Sequence, residues 1–498
     1  RKLNEANTAR IKELEEMLLY FKNQLFGQKS ERTTTQDPDQ LSLFEDPDSV
    51  FSRSELTDEQ STQESKTTVQ KPQKKRQKRE EQVAGLDVVT TIYRRESDFC
   101  PFGHKLKMIG KKPLGKKLRY QPAKLWVEDQ YLETYTCDCE DCVDQQAGGT
   151  AFYSAQAPGN LFLHSSITAE LLSNIVYQKY SLGTPLYRQL KDWQRLGWKT
   201  SESTLSRAVI NGSKLLQPLA ELIHSELLKA PYLQGDETVV QVLREPGKKA
   251  STESRMWVLR TPQTAQHQGI YYAYQPDRTA KSGQKLYAGF SGVLQCDGYS
   301  VYSSVDCCDR VGCLAHVRRK FFEAAKRDQR AKKPLKMLNQ MFKLEKKWKN
   351  LSPEARTKMR GQKLAPLFTD FWQCLSELPA LPKSMLGKAI KYANGQKTAI
   401  DKLLQYGAFD LSNNTCEQAI KSLIIDRKNF LFSTSIAGAQ ANAIWLTLIE
   451  SAKANGLDPL QYLFDILTAL SQADSLSEAE LRHYLPWNRT KKLKKAAA

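Results

Sequence analysis

The chain has 498 residues, enough for three or four domains with at least one substantial core. Its 74 Lys and Arg outweigh 55 Asp and Glu, a net charge of +19 that points to a polyanionic partner, most simply nucleic acid. No run of about 18 apolar residues exists and Arg1-Lys2-Leu3-Asn4-Glu5 is polar, so a transmembrane helix is excluded and neither a secretory signal nor a membrane partner is expected. Four of the ten cysteines lie between Cys100 and Cys142 and four between Cys296 and Cys313. That grouping suits a reduced, cytoplasmic chain with one metal site better than a disulfide framework.

Residues 1–30 begin as an amphipathic helix, with Ile11, Leu14, Leu18, Phe21 and Leu25 at alternating spacings of three and four. Pairing with a second copy as a coiled coil and packing on its own domain both satisfy that seam. Residues 31–85 read as a polar linker ending in a basic run that includes Lys74, Lys75 and Arg76, suited to a phosphate backbone or simply to solvent. The segment 86–160 contains β-like pieces, Val88–Tyr93 and Leu125–Val127, and a candidate structural Zn²⁺ site from Cys100, His104, Cys139 and Cys142, with Cys137 as an alternative ligand. A degenerate finger without metal is the competing reading, because the first knuckle lacks a Cys-x-x-Cys. Residues 161–228 predict three helices, Ile167–Gln178, Leu186–Arg195 and Ser203–Leu215, with helix-turn-helix spacing and Arg207 near the start of the last.

From 229 to 455 the pattern is a strand-rich core. Strands are expected at Thr238–Leu243, Arg255–Arg260, Gly269–Tyr274, Gly292–Cys296 and Arg310–Ala315, an order that fits an RNase H-like mixed α/β sheet. A helical, lysine-rich insertion follows at 317–407, and 456–498 reads as a helix with a basic tail. Asn413 to Asn429 predicts a helix capped by Asn413 or Asn414, with Glu417 in its first turn and Lys421 one turn on.

Three carboxylates are placed to meet. Asp236 is expected at the start of the first strand, Asp297 just past the end of the neighbouring fourth, and Glu417 on a helix crossing that edge. Taken singly, they read as two turn residues and a surface charge. Together they cannot all ionise cheaply without cations, and two Mg²⁺ (or Mn²⁺) ions would answer that while activating a nucleophile for phosphoryl displacement. His316, Arg318 and Arg319, just past the fifth strand, are candidate DNA phosphate contacts or an ordinary basic helix start, and Arg427 and Lys428 carry the same two readings.

The chain resembles the insertion-sequence-66 family of bacterial DDE transposases over nearly its full length. The resemblance rests on Leu25-Phe26-Gly27-Gln28-Lys29-Ser30-Glu31, Gly235-Asp236-Glu237-Thr238, Leu294-Gln295-Cys296-Asp297-Gly298-Tyr299, Gly312-Cys313-Leu314-Ala315-His316-Val317-Arg318-Arg319-Lys320-Phe321, Asn413-Asn414-Thr415-Cys416-Glu417 and Leu485-Pro486-Trp487-Asn488. It implies an RNase H-like transposase in which Asp236, Asp297 and Glu417 are the catalytic, Mg²⁺-binding triad. It further implies cleavage at transposon ends with strand transfer to target DNA, at least a dimer when assembled, small companion proteins of the element, and a bacterial, nucleoid-associated location. A catalytically inactive or non-transposing nuclease relative is the alternative. Gly103 stands where the family's first knuckle has its second Cys, which leaves the zinc in question.

Overall fold

The computed structural model describes residues 124–131, 134–137, 151–154, 159–163, 165–307, 309–473 and 475–489. The expected N-terminal helix, the basic run at Lys74, Lys75 and Arg76, and Cys100, His104, Cys139 and Cys142 lie outside them. Residues 124–128 belong to a separate unit, 46–128, and form no strand, so the β piece expected at Leu125–Val127 is not made: Trp126 and Val127 are exposed. All that follows concerns the other unit.

A two-stranded antiparallel ladder, β1 (Thr134–Cys137) and β2 (Ala151–Ser154), precedes three helices: α1 (Ala169–Tyr180), α2 (Leu186–Arg195) and α3 (Glu202–Leu228). The expected turn is present, and the Ser201 side chain accepts from the Thr204 N–H to start α3. That helix runs 13 residues beyond its expected end at Leu215, because Leu216, Leu219, Ile223 and Leu227 continue the buried stripe past Pro218. Gly212 lets Trp445 pack against α3, and the Trp445 indole donates to the Val209 carbonyl.

The central sheet contains β3 (Tyr232–Arg244), β4 (Glu253–Arg260), β5 (Ile270–Gln275), β6 (Val293–Gln295) and β7 (Asp309–Val311), in the order β5-β4-β3-β6-β7. β3, β4 and β5 are antiparallel neighbours; β6 runs parallel to β3 and β7 parallel to β6. The crossover between β5 and β6 carries a short helix, α4 (Ala280–Leu286). A last strand, β8 (Ser433–Ser435), pairs in parallel with the far end of β3. The first strand begins six residues earlier than the β-branched run suggested, so Asp236 lies within a ladder, opposite Val258, and not at a strand start. The fifth strand ends at Val311; Leu314 and Ala315 instead open a helix, with Cys313 at its N-cap.

That helix, α5 (Leu314–Ala325), leads into α6 (Lys332–Lys347), α7 (Pro353–Met359), a π-helical turn at 360–364, α8 (Ala365–Glu377) and α9 (Met385–Asp401). These helices share one hydrophobic core with the sheet edge. Val293 and Val311 pack in the same cluster as Phe321, Leu338, Met341, Phe371, Leu386 and Phe409. The chain then forms α10 (Asn414–Phe430), α11 (Ile436–Ala454), α12 (Pro459–Gln472), α13 (Glu478–His483) and α14 (Pro486–Arg489). Along the outer edge of β5, Thr447 and Ser451 of α11 accept from the Tyr272 and Ile270 N–H groups at 2.9 and 3.0 Å. A sheet edge that would otherwise offer bare donors is thus covered by a helix.

Candidate active site

Asp236 and Asp297 converge through strand register. β3 and β6 pair Tyr232 with Val293, Leu233 with Leu294 and Gln234 with Gln295, a constant offset of 61. The same offset takes Asp236 to Asp297 (297 − 236 = 61), two residues beyond the end of β6. Asp236, two residues beyond Gln234 in the same strand, shares its sheet face, and Asp297 follows on the loop that leaves β6.

The Gln234–Gln295 pair also sets the position of α10. The Gln234 side-chain amide donates to Gln295 Oε1 at 2.7 Å, and the Thr415 hydroxyl donates to Gln234 Oε1 at 2.6 Å. Gln295 Nε2 donates in turn to the Asp410 carbonyl at 2.8 Å. On the strand's open side, Asn413 Nδ2 donates to the Gly235 carbonyl at 3.0 Å, and Arg260 donates to the Thr415 carbonyl at 2.9 Å. The Asn413 side chain is therefore spent on the sheet and makes no cap bond, contrary to the capping expected from sequence. These bonds seat the first turn of α10 against β3 and carry Glu417 to the acids. Replacing Gln234 by Leu strands the Gln295 oxygen and the Thr415 hydroxyl in the interior. Urea denaturation is expected to show a loss of about 1–3 kcal/mol; an unchanged midpoint contradicts this role for the pair.

The electrostatics reflect the crowding. Burial pushes the Asp236 carboxyl well above its usual range, and the charges of Glu417, Glu237 and Asp297 push the same way. Its Oδ1 accepts from the Glu237 N–H at 2.8 Å. Asp297 Oδ1 accepts from the Tyr299 N–H at 2.9 Å, an Asx turn that orients a carboxylate standing outside the ladder. The Tyr299 ring lies under the Arg278 guanidinium, 3.4 Å from its centroid, and Arg278 is ion-paired to Glu237, which also accepts from the Tyr302 hydroxyl. On the other side of the turn, a Cβ at Gly298 would meet the Gln396 side chain at 2.8 Å, so α9 closes against the loop that carries Asp297.

Glu417 is 4 % exposed and its Oε1 has no hydrogen-bond partner. His316 Nε2 lies 3.8 Å from Oε1, and an Arg319 guanidinium nitrogen lies 3.6 Å from Oε2. Burial pulls the His316 pKa down, but Cys313 and Glu417 outweigh it and hold the imidazole up at about 10. Oxygen donors from three elements, one of them orphaned and another driven toward protonation by its neighbours, fit a divalent cation that takes carboxylates.

The other expected contacts separate. Arg318 faces the insertion, where its Nε donates to Asn339 at 2.7 Å and its guanidinium lies over Phe342. Arg427 donates to the Val239 carbonyl on β3. Lys421 lies half-buried on the second turn of α10, and Lys428 is exposed near its end. Sequence reasoning missed Gln234, Gln295, Arg278 and Cys313. The signal for the first two was present: Leu233-Gln234-Gly235-Asp236 and Leu294-Gln295-Cys296-Asp297 repeat one Leu-Gln-x-Asp pattern.

Residues 164–441, which include all three acids, match the model described as the transposase IS66 family, and 447–487 match the IS66 C-terminal element. Residues 13–90 match the model described as transposase C of IS166 homeodomain. Among curated proteins, the chain is 31% identical to the uncharacterized protein y4qI of Sinorhizobium fredii over 68% of this chain and 66% of that protein, just under two thirds of its length. It is 29% identical to y4hP of the same organism, over 78% of this chain and 72% of that protein.

Proposed function

Because the chain belongs to the IS66 family of transposases, we propose that it cleaves DNA at transposon ends and transfers the cut strand to target DNA, with Asp236, Asp297 and Glu417 as the catalytic acids of an RNase H-like core. The observation that carries this is the constant offset between β3 and β6, which brings two of the acids level beside the helix that bears the third. The three carboxylates would hold two Mg²⁺ or Mn²⁺ ions. When bound, such ions supply the activation of water or a 3′-hydroxyl and the stabilisation of the leaving oxygen.

The chain's own groups prepare the site. Asp236 is held toward its protonated form, and His316 and Arg319 offset the charge of Glu417. Those two cations are positioned for the oxygens of the scissile phosphate. The Asx turn at Asp297 and the Arg278–Tyr299 stack keep that carboxylate aimed without a ladder. Lys421 and Lys428 extend the basic surface along α10, and Lys74, Lys75 and Arg76 are assigned to the DNA backbone. Arg318 and Arg427 are engaged with the protein and are left out of the DNA contacts.

DNA as the partner is supported by charge as well as by family. The insertion at 317–407 carries 22 Lys and Arg against 7 Asp and Glu, most of the chain's net +19. We assign α1 to α3 to reading the transposon end, with exposed Arg207 near the start of α3. Pairing of two chains through residues 1–30 and a zinc site at Cys100, His104, Cys139 and Cys142 complete the proposal. No helix among the described residues is long and apolar enough to cross a membrane.

The test is cleavage of the element's own termini with and without Mg²⁺. Metal-dependent nicking at the ends, with joining of the freed strand to a target plasmid, is expected; cleavage that persists in a chelator sinks the proposal. A second consequence concerns protons. Asp236 has a raised pKa in the metal-free fold, so that fold binds the proton more tightly than the unfolded chain does, and its stability falls as pH rises above the usual carboxylate range. Metal uptake must displace that proton. Apparent Mn²⁺ affinity is expected to rise with pH, by up to about tenfold per unit, until Asp236 is ionised in the free protein. Titration calorimetry showing pH-independent affinity contradicts the protonated acid.

A further inference from the structure

We propose that Cys313, His316 and Glu417 form a second metal site, selective for thiophilic ions such as Zn²⁺, through which those ions inhibit the enzyme by occupying Glu417. One ligand atom from each of the three residues lies within 4.8 Å of the others. Cys313 is the N-cap of α5 and His316 the third residue of that helix, so a Cys-x-x-His pair projects from one helix end. Glu417 approaches from α10, and the two helices are tied there by the Asn413 N–H, which donates to Cys313 Sγ at 3.2 Å.

Two polar atoms of this cluster lack a hydrogen-bond partner. Glu417 Oε1 and His316 Nδ1 are both buried without hydrogen-bond partners, in an interior where unpaired polar atoms are costly. Binding displaces the proton of the His316 imidazolium; the resulting set of one thiolate, one neutral imidazole and one carboxylate balances a divalent charge and leaves a fourth position open. The donor set separates this site from the oxygen-only one. Sulfur and imidazole hold Zn²⁺, Co²⁺ or Cd²⁺ in preference to Mg²⁺. Because Glu417 is common to both sets, a soft ion here removes a carboxylate from the Mg²⁺ site.

The inhibition rests on the transposase reading, whereas the binding does not, so the test has two arms. In the first, Co²⁺ is titrated into the full metal-free chain and into its Cys313→Ser variant, with circular dichroism confirming that the variant is folded. The wild-type chain is expected to show a thiolate-to-cobalt charge-transfer band in excess of the variant's, by one equivalent. His316→Gln, which keeps the sulfur, is expected to retain a thiolate band of weaker affinity. Identical cobalt spectra for wild type and Cys313→Ser, meaning that only other cysteines bind, overturn the site. In the second arm, Zn²⁺ is added to Mg²⁺-supported cleavage. Cys313→Ser is expected to need at least about tenfold more Zn²⁺ for half-inhibition, since even an outer-shell partner of a metal ligand is worth about that much and Cys313 is a direct ligand. Equal sensitivity overturns the inhibitory role even where the cobalt band is present. If neither chain cleaves, the transposase reading fails and the cobalt arm still decides the site.

Discussion

Asp236→Asn is expected to abolish end cleavage and, at the same time, to stabilise the metal-free protein. The two effects have one cause. Asp236 is crowded by Glu417, Glu237 and Asp297, and both burial and those charges oppose its ionisation. Asparagine keeps the oxygen that accepts from the Glu237 N–H and removes the charge. Without metal, the variant escapes the repulsion and should unfold at higher urea. With metal and DNA present, a ligand on which the whole reaction depends is gone. A single electrostatic stabiliser is worth about 10²–10³ in rate, and a loss beyond that range is expected here. DNA affinity should be nearly unchanged, since the basic surfaces are untouched. Gel-shift, cleavage and unfolding measurements on one preparation test all three statements; a variant that cuts at the wild-type rate removes Asp236 from the site. Glu417→Gln should lose cleavage equally.

The second large effect is expected far from the acids, at Arg360. This side chain is fully buried in the π-helical turn and is ion-paired to Glu345. It also donates to the Leu403, Tyr406 and Phe409 carbonyls, which lie on the stretch returning from the insertion to Asn413. The insertion therefore holds the approach to α10 largely through this guanidinium, beside Arg356, which is ion-paired to Asp410 on the same stretch at 2.9 Å. Arg360→Ala leaves Glu345 charged and buried, along with three carbonyls that lose a donor. A loss of about 3–5 kcal/mol is expected. Lysine should not rescue it, because an ammonium cannot reproduce a planar fork of five donors. Cleavage should fall with stability, through displacement of Glu417. Denaturation melts and cleavage rates decide; a variant as stable as wild type shows that the insertion closes without this contact.

Much of the core was legible because the signals were local and periodic. The expected strands Arg255–Arg260 and Gly269–Tyr274 meet β4 and β5 to within two residues, and the helix expected at Asn413–Asn429 meets α10. The sheet order followed from strand succession and from the rule that crossovers pack back on the same sheet. What escaped was non-local. The six extra residues at the start of β3 include Leu233, Gln234 and Gly235, whose strand character comes from pairing with β4 and β6, not from intrinsic preference. Asn413 reads as a cap because its type favours caps; its amide instead bonds a strand carbonyl that is 178 residues away in sequence. Arg318 and Arg319 are adjacent in sequence but separated by about 100° on the helix, so one meets Glu417 and the other Asn339. Cys313 was one of the four cysteines grouped at 296–313, and only the meeting of α5 and α10 brings it to Glu417 as well as His316.

The most direct test of the central claim is the anomalous scattering map of a crystal grown with Mn²⁺ and transposon-end DNA. Manganese peaks bounded by the Asp236, Asp297 and Glu417 carboxylates, with the scissile phosphate beside them, are the predicted result. Manganese bound elsewhere on the chain, with the three carboxylates empty or splayed apart, would contradict it.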